Sequence, residues 1–186
     1  FWENLAEHAG LLDVRRGDIT DTGYPDSERI EVLCLDLFES LPITDFITRN
    51  FYTRLLPEAL VIQRGMLHEL RPFVLLTMRR LRDCFKEYVE SGNGGTIGYK
   101  CVKPITPELV IERFGTDSSW YQEVEANAIL LREMEEQMVY ETNRRAVLQT
   151  LGAYFNESGL PDRANAIYEE VKTRFSESHV SENASA

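Results

Sequence analysis

The side chains able to do chemistry are few in this chain and lie far apart in sequence. His8, His68 and His179 are widely separated, and the pair His68-Glu69 lacks the second histidine that an H-E-x-x-H zinc helix needs. Glu133, Glu135, Glu136 and Glu141 crowd one stretch. Carboxylate metal sites in helical bundles take a Glu-x-x-His spacing from two helices, which is not found here, so these glutamates read as a solvated acidic face. Cys34, Cys84 and Cys101 are odd in number and too scattered for a disulfide framework or a zinc pair. They fit a reducing compartment, cytosol or nucleus, and Cys34 reads as a core residue rather than a nucleophile. The glycine-rich stretch Ser91 to Gly98 lacks the following Lys-Ser/Thr of a phosphate loop and reads as a surface connection. There is no G-x-S-x-G elbow and no dinucleotide fingerprint. The expectation is a chain without catalytic residues, cofactor or metal, and not an enzyme.

The cations are the more distinctive feature. Residues 46 to 82 hold Arg49, Arg54, Arg64, Arg71, Arg79, Arg80 and Arg82 against Glu58 and Glu69, inside a chain whose net charge is −11. They form either a basic face for an acidic protein or peptide, or a solvated face that balances the acidic second half. The overall charge disfavours direct nucleic-acid binding or a membrane-surface role for the domain. The apolar fraction is 43%, the apolar runs are too short to span a bilayer, and the first residues lack the pattern of a signal peptide. The N-x-S sequons at Asn156 and Asn183 read as chance occurrences.

The elements that must position these groups all read as helices. Trp2, Leu5, Ala6, Ala9 and Leu12 recur at helical spacing, and a turn-rich loop follows. Ile30, Leu33, Cys34, Leu37, Phe38 and Leu41 make one broad apolar face that Pro42 closes. Pro42, Pro57 and Pro72 stand 15 residues apart and can each open a short helix, the third running from Pro72 to Glu90. Tyr99 to Val102 can run extended. Thr106-Pro107-Glu108 is a helix start, with Thr as cap and Pro at the first position, and Gly115 stops that helix. From Ser118 to about Asn156 the pattern predicts one long helix or two nearly collinear ones. Trp120, Val124, Ala128, Leu131, Met134 and Met138 lie along one side of it. Residues 176–186 are polar and expected to be disordered.

Leu148 to Phe175 predicts two amphipathic helices joined at Gly159 and Pro161, with Gly152 and Ala164 small enough to let them touch. The pattern Leu148, Leu151-Gly152, Phe155, Gly159, Ala164, Tyr168 resembles one tetratricopeptide unit. Such arrays need about three units and no second copy is evident, so an isolated αα-hairpin and an array member both stand open. Ile105 to Ile111, ITPELVI, is followed by a long helix and a hairpin ending ANAIYEEVKTRF. This order of elements, over residues 28 to 175, is similar to the dimerisation domain of telomere repeat-binding proteins, the TRFH domain. The resemblance implies an all-helical homodimer in the nucleus that recruits partner proteins at chromosome ends, with DNA binding left to another domain. The expectation is therefore an all-α domain of seven or eight helices over residues 1–175. It would act as a protein-protein interaction and dimerisation module, with Trp120, Val124, Leu131, Met134 and Met138 at the self-association surface. The alternative is a monomeric adaptor that binds an acidic peptide through the arginines.

Overall fold

The computed structural model describes residues 15–22, 27–36, 40–65, 67, 71–91 and 95–175. The helix expected over residues 1–12 and the tail 176–186 lie outside them. After a single turn, α1 (Ile19–Thr22), the chain forms β1 (Ile30–Leu35), α2 (Leu41–Asn50), a 3-10 turn (Tyr52–Arg54), β2 (Leu55–Gln63), α3 (Pro72–Arg80), β3 (Phe85–Glu90) and β4 (Ile97–Cys101). Helices follow: α4 (Pro107–Phe114), a 3-10 turn (Ser118–Gln122), α5 (Val124–Gln137), α6 (Glu141–Glu157) and α7 (Pro161–Phe175). The strands make one mixed sheet in the order β1-β2-β4-β3. β1 and β2 are parallel and joined through α2, while β2–β4 and β3–β4 are antiparallel.

The protein is α/β, and the all-α expectation fails over residues 30 to 101. Its errors share one physical cause. Short apolar runs satisfy a helical and a strand spacing equally well, and composition must arbitrate. Ile30-Glu31-Val32-Leu33-Cys34-Leu35 is β-branched at two of its first three positions, and Ile30, Leu33 and Leu35 turn inward while Val32 and Cys34 face out. Cys34 is exposed, not in the core where the helical reading put it. Pro57 opens no helix either. It sits in an irregular stretch of β2 where β1 advances from Ile30 to Val32 while β2 advances from Leu55 to Leu60. A proline is tolerated at such a bulge because no ladder N–H is required of it, and the neighbouring Glu58 takes a positive φ of 71°. The helix from Pro72 stops at Arg80, and its expected second half is β3. The all-helical architecture that the TRFH resemblance implies is thus not the one the chain forms.

Other local signals hold. Thr106 accepts from Leu109 N at 3.2 Å, and Gly115 ends α4 with φ 68°. Gly159 takes φ 74° between α6 and α7, after which Pro161 opens α7. The region from Ser118 to Asn156 is not one rod. It breaks at Met138, and α5 and α6 pack against each other.

The inward face of the sheet carries Leu33, Leu35, Val61, Gln63, Phe85, Ile97, Tyr99 and Cys101. It shares one continuous hydrophobic core with the helices. α3 links the two halves, since its buried Phe73 meets Tyr121 edge-on at 6.2 Å and it packs against α5 and α6. A second link is Glu90 at the end of β3. Its carboxylate accepts from Val139 N (2.9 Å), Tyr140 N (3.2 Å) and Asn143 Nδ2 (2.6 Å), so a negative charge sits at the positive end of α6.

Candidate functional site

The seven arginines are not deployed as one face. Both terminal nitrogens of Arg49 donate to Gly115 O at 3.2 Å, tying α2 to the end of α4. Arg54 ends the first 3-10 turn, and Arg71 immediately precedes α3. Arg64 pairs with Asp36 at 3.2 Å with both side chains mostly in solvent. Arg79 and Arg82 are brought together on the carboxylate of Glu133.

Arg80 goes into the interior. Its guanidinium donates to Arg113 O (2.8 Å), Trp120 O (3.2 Å), Glu123 Oε2 (2.6 Å) and Asn127 Oδ1 (2.8 Å), and it stacks over the Trp120 ring at 5.1 Å. Asn127 is fully buried, and its Nδ2 donates to Trp120 O and to Tyr154 Oη at 3.0 and 2.8 Å. The cation thus supplies a donor to Arg113 O at the end of α4, where helix formation leaves carbonyls without partners, and adds a further donor to Trp120 O in the 3-10 turn. Burial pushes the hydroxyls of Tyr121 and Tyr154 above the usual phenol range, so both stay protonated.

The stripe expected at a dimer contact is committed to this chain's own packing. Trp120, Leu131, Met134 and Met138 are each 2% exposed or less, and Val124 is half-buried against the same core. Trp120 meets Phe114 edge-on at 5.2 Å, and its Nε1 donates to Asp45 Oδ1 at 3.2 Å.

Two concavities open on either side of Glu133. The first, about 490 Å³, lies between α3, α5 and the β3–β4 hairpin. Its floor is Met78, Phe85, Tyr99, Met134 and Met138, and Arg79, Arg82, Glu133 and Gln137 stand around it. The second, about 480 Å³, is a groove along α5, α6 and α7. Ala128, Ile129, Leu151, Phe155, Ala166 and Ile167 line it, and Glu125, Arg132, Glu133, Glu136 and Arg163 complete its border. Ile129 is 60% exposed. The sequence reading missed it because Ile129 falls off the stripe Val124, Ala128, Leu131, Met134. An apolar residue on the polar side of an amphipathic helix was the available signal. The first floor gave no such signal, since its residues come from four elements.

Ion pairs hold the groove's walls together. Arg132 grips Glu170 through both terminal nitrogens at 2.7 and 2.5 Å, and Arg174 binds Glu170 and the buried Glu135, each at 2.8 Å. These donors, Arg132 foremost, hold the Glu170 carboxyl down to about 2. A carboxyl lowered in the folded state below its unfolded value near 4.3 gives stability that is complete above that value and lost as pH falls toward 2. Urea unfolding measured from pH 6 to pH 2 is expected to show this loss between about pH 4.5 and 2. The Glu170→Gln variant is expected to be less stable at pH 6 and to show a shallower decline over that window. An unchanged slope would remove Glu170 from the acid response.

The other reactive side chains are quiet or lie elsewhere. Cys84 and Cys101 are buried, and burial pushes the Cys84 thiol up to about 11 and raises Cys101 as well, which disfavours the nucleophilic thiolate. His8, His68, His179 and Asn183 lie outside the described residues, as do residues 92–94 of the glycine-rich stretch, and Asn156 is exposed near the end of α6. Among the described residues, no group of three His, Cys, Asp or Glu side chains is placed to hold a metal ion. Within the same residues no helix is long and apolar enough to cross a membrane. No protein-family profile, no characterised protein and no solved structure matches this chain.

Proposed function

We propose that the chain is a non-catalytic protein-interaction domain whose helical half receives a basic amphipathic helix of a partner protein in the groove between α5 and α7. The observation that carries this reading is Ile129, a large apolar side chain left 60% exposed over a floor built from Leu151, Phe155 and Ile167. A partner helix that lays its apolar residues at i, i+3 and i+7 into such a groove buries them there. Its sign of charge follows from the chain's net −11 and from Glu136, which borders the groove with no ion-pair partner among the described residues. The acidic-peptide alternative loses the continuous basic face it needs, because Arg49 and Arg80 are engaged within the chain, Arg64 pairs with Asp36, and only Arg79 and Arg82 stand together.

The test uses a fluorescent 18-residue helix with leucines at that spacing and lysines elsewhere, beside one with glutamates in place of the lysines. Binding of the lysine peptide is expected to weaken about tenfold in Ile129→Gln, the loss due to one buried aliphatic side chain. That substitution leaves the charge unchanged, so general attraction of a cation to an acidic protein would survive it. Equal affinity of parent and Ile129→Gln, or preference for the glutamate peptide, overturns the reading. A parent that light scattering shows as a dimer, with Ile129→Gln monomeric, also overturns it and gives the groove to a second copy.

A further inference from the structure

The cavity on the other side of Glu133 has a composition that the interaction reading does not use. Three of the chain's four methionines, Met78, Met134 and Met138, line it together with Phe85 and Tyr99. Methionine thioethers adapt to irregular shapes and favour contact with aromatic rings, so this floor suits a flat apolar body. Its volume of about 490 Å³ is in the range of small-molecule sites.

The polar groups stand together above that floor and carry an excess of cation. Arg79 and Arg82 share the one carboxylate of Glu133, and Gln137 accepts from Arg79 at 2.7 Å. Arg82 is half-exposed and donates one N–H to Glu133, which leaves most of its five donors for another anion. Paired guanidinium groups match the two oxygens of a carboxylate.

We propose that this cavity binds a small aromatic carboxylate, its ring on the methionine floor and its carboxylate on Arg82 and Arg79. The probe is 2-naphthoate, titrated calorimetrically into the full chain beside its neutral counterpart 2-naphthamide. One saturable site is expected, with affinity at least tenfold weaker for the amide and at least tenfold weaker for naphthoate in Arg82→Gln. Arg82 is chosen because it is half-exposed, and circular dichroism checks that the variant is folded. In a chain labelled at the methionine methyls, the Met78, Met134 and Met138 signals are expected to shift on naphthoate addition. No saturable binding, equal affinity for the amide, indifference to Arg82→Gln, or three unmoved methyl signals would each overturn the assignment. The methyl readout depends on this cavity alone, so the site and the α5–α7 groove stand or fall separately.

Discussion

Arg80→Met is expected to lower the unfolding free energy by about 1–3 kcal/mol, the loss typical when a buried hydrogen-bonding group is left without its partner. Four acceptors converge on this guanidinium from two directions, Arg113 O on one side and Trp120 O, Glu123 and Asn127 on the other. Methionine fills the stem's volume but leaves Oδ1 of the fully buried Asn127 short of a donor in a place where water cannot follow easily. Lysine is no remedy, because a point charge on a flexible stem cannot serve divergent acceptors as a planar fork does. Glu123→Gln, by contrast, is expected to cost under about 1 kcal/mol, since that carboxylate is 56% exposed and its pairing is screened. Urea unfolding of Arg80→Met, Asn127→Leu and the double variant separates the terms. A coupling of about 1 kcal/mol or more between positions 80 and 127 is expected, and strict additivity would show that Arg80 acts through its stem alone.

Arg80 also marks the limit of what the residues announce. Its charge and helical neighbourhood are plain in the sequence, yet its partners lie 33 to 47 residues away and come from elements whose packing decides everything. The same holds for Arg49, whose acceptor is 66 residues distant. What was legible is local stereochemistry. Thr106-Pro107, Pro72, Gly115, Gly159 and Pro161 all stand at the helix ends their types favour, because capping and positive φ depend on a handful of adjacent atoms. The sheet was illegible for the converse reason. Leu60-Val61-Ile62 is buried or half-buried throughout, pairing with β1 on one side and β4 on the other, and a continuous apolar run has no period from which to choose strand over helix. A helix opened at Pro57 puts the β-branched Val61 and Ile62 on the wrong period, since both lie in β2. The two concavities follow the same division: Ile129 stood out on one helix, whereas Met78, Phe85, Tyr99 and Met134 meet only through the fold.

Gly152→Leu is expected to destabilise the chain by about 3 kcal/mol or more, and Tyr168→Ala to restore part of that loss. Gly152 faces α7 in the most extensive helix pairing among the described residues, and a Cβ placed on it would lie 2.5 Å from Tyr168 Cε1 and 2.8 Å from Cζ. Those atoms belong to a rigid ring held between helices, so the ring must rotate away or α6 and α7 must separate. An interior glycine costs a helix about 1 kcal/mol relative to alanine, and overpacking costs about 1–3 kcal/mol. For Gly152→Ala the two nearly offset, so the measured change is expected to be a small loss. Leucine adds three more carbons to the same contact while gaining no more in propensity, and overpacking then dominates. Separation of α6 from α7 would also disturb Leu151, Phe155 and Ile167, which form the groove floor. The double variant Gly152→Leu, Tyr168→Ala is therefore the decisive one. Recovery of about 1 kcal/mol or more in urea unfolding would locate the strain at the ring, within the range of coupling found for touching residues. A double variant no better than the sum of its parts would place the cost in the helix backbone instead, and the close approach at Gly152 would cease to explain how the hairpin packs.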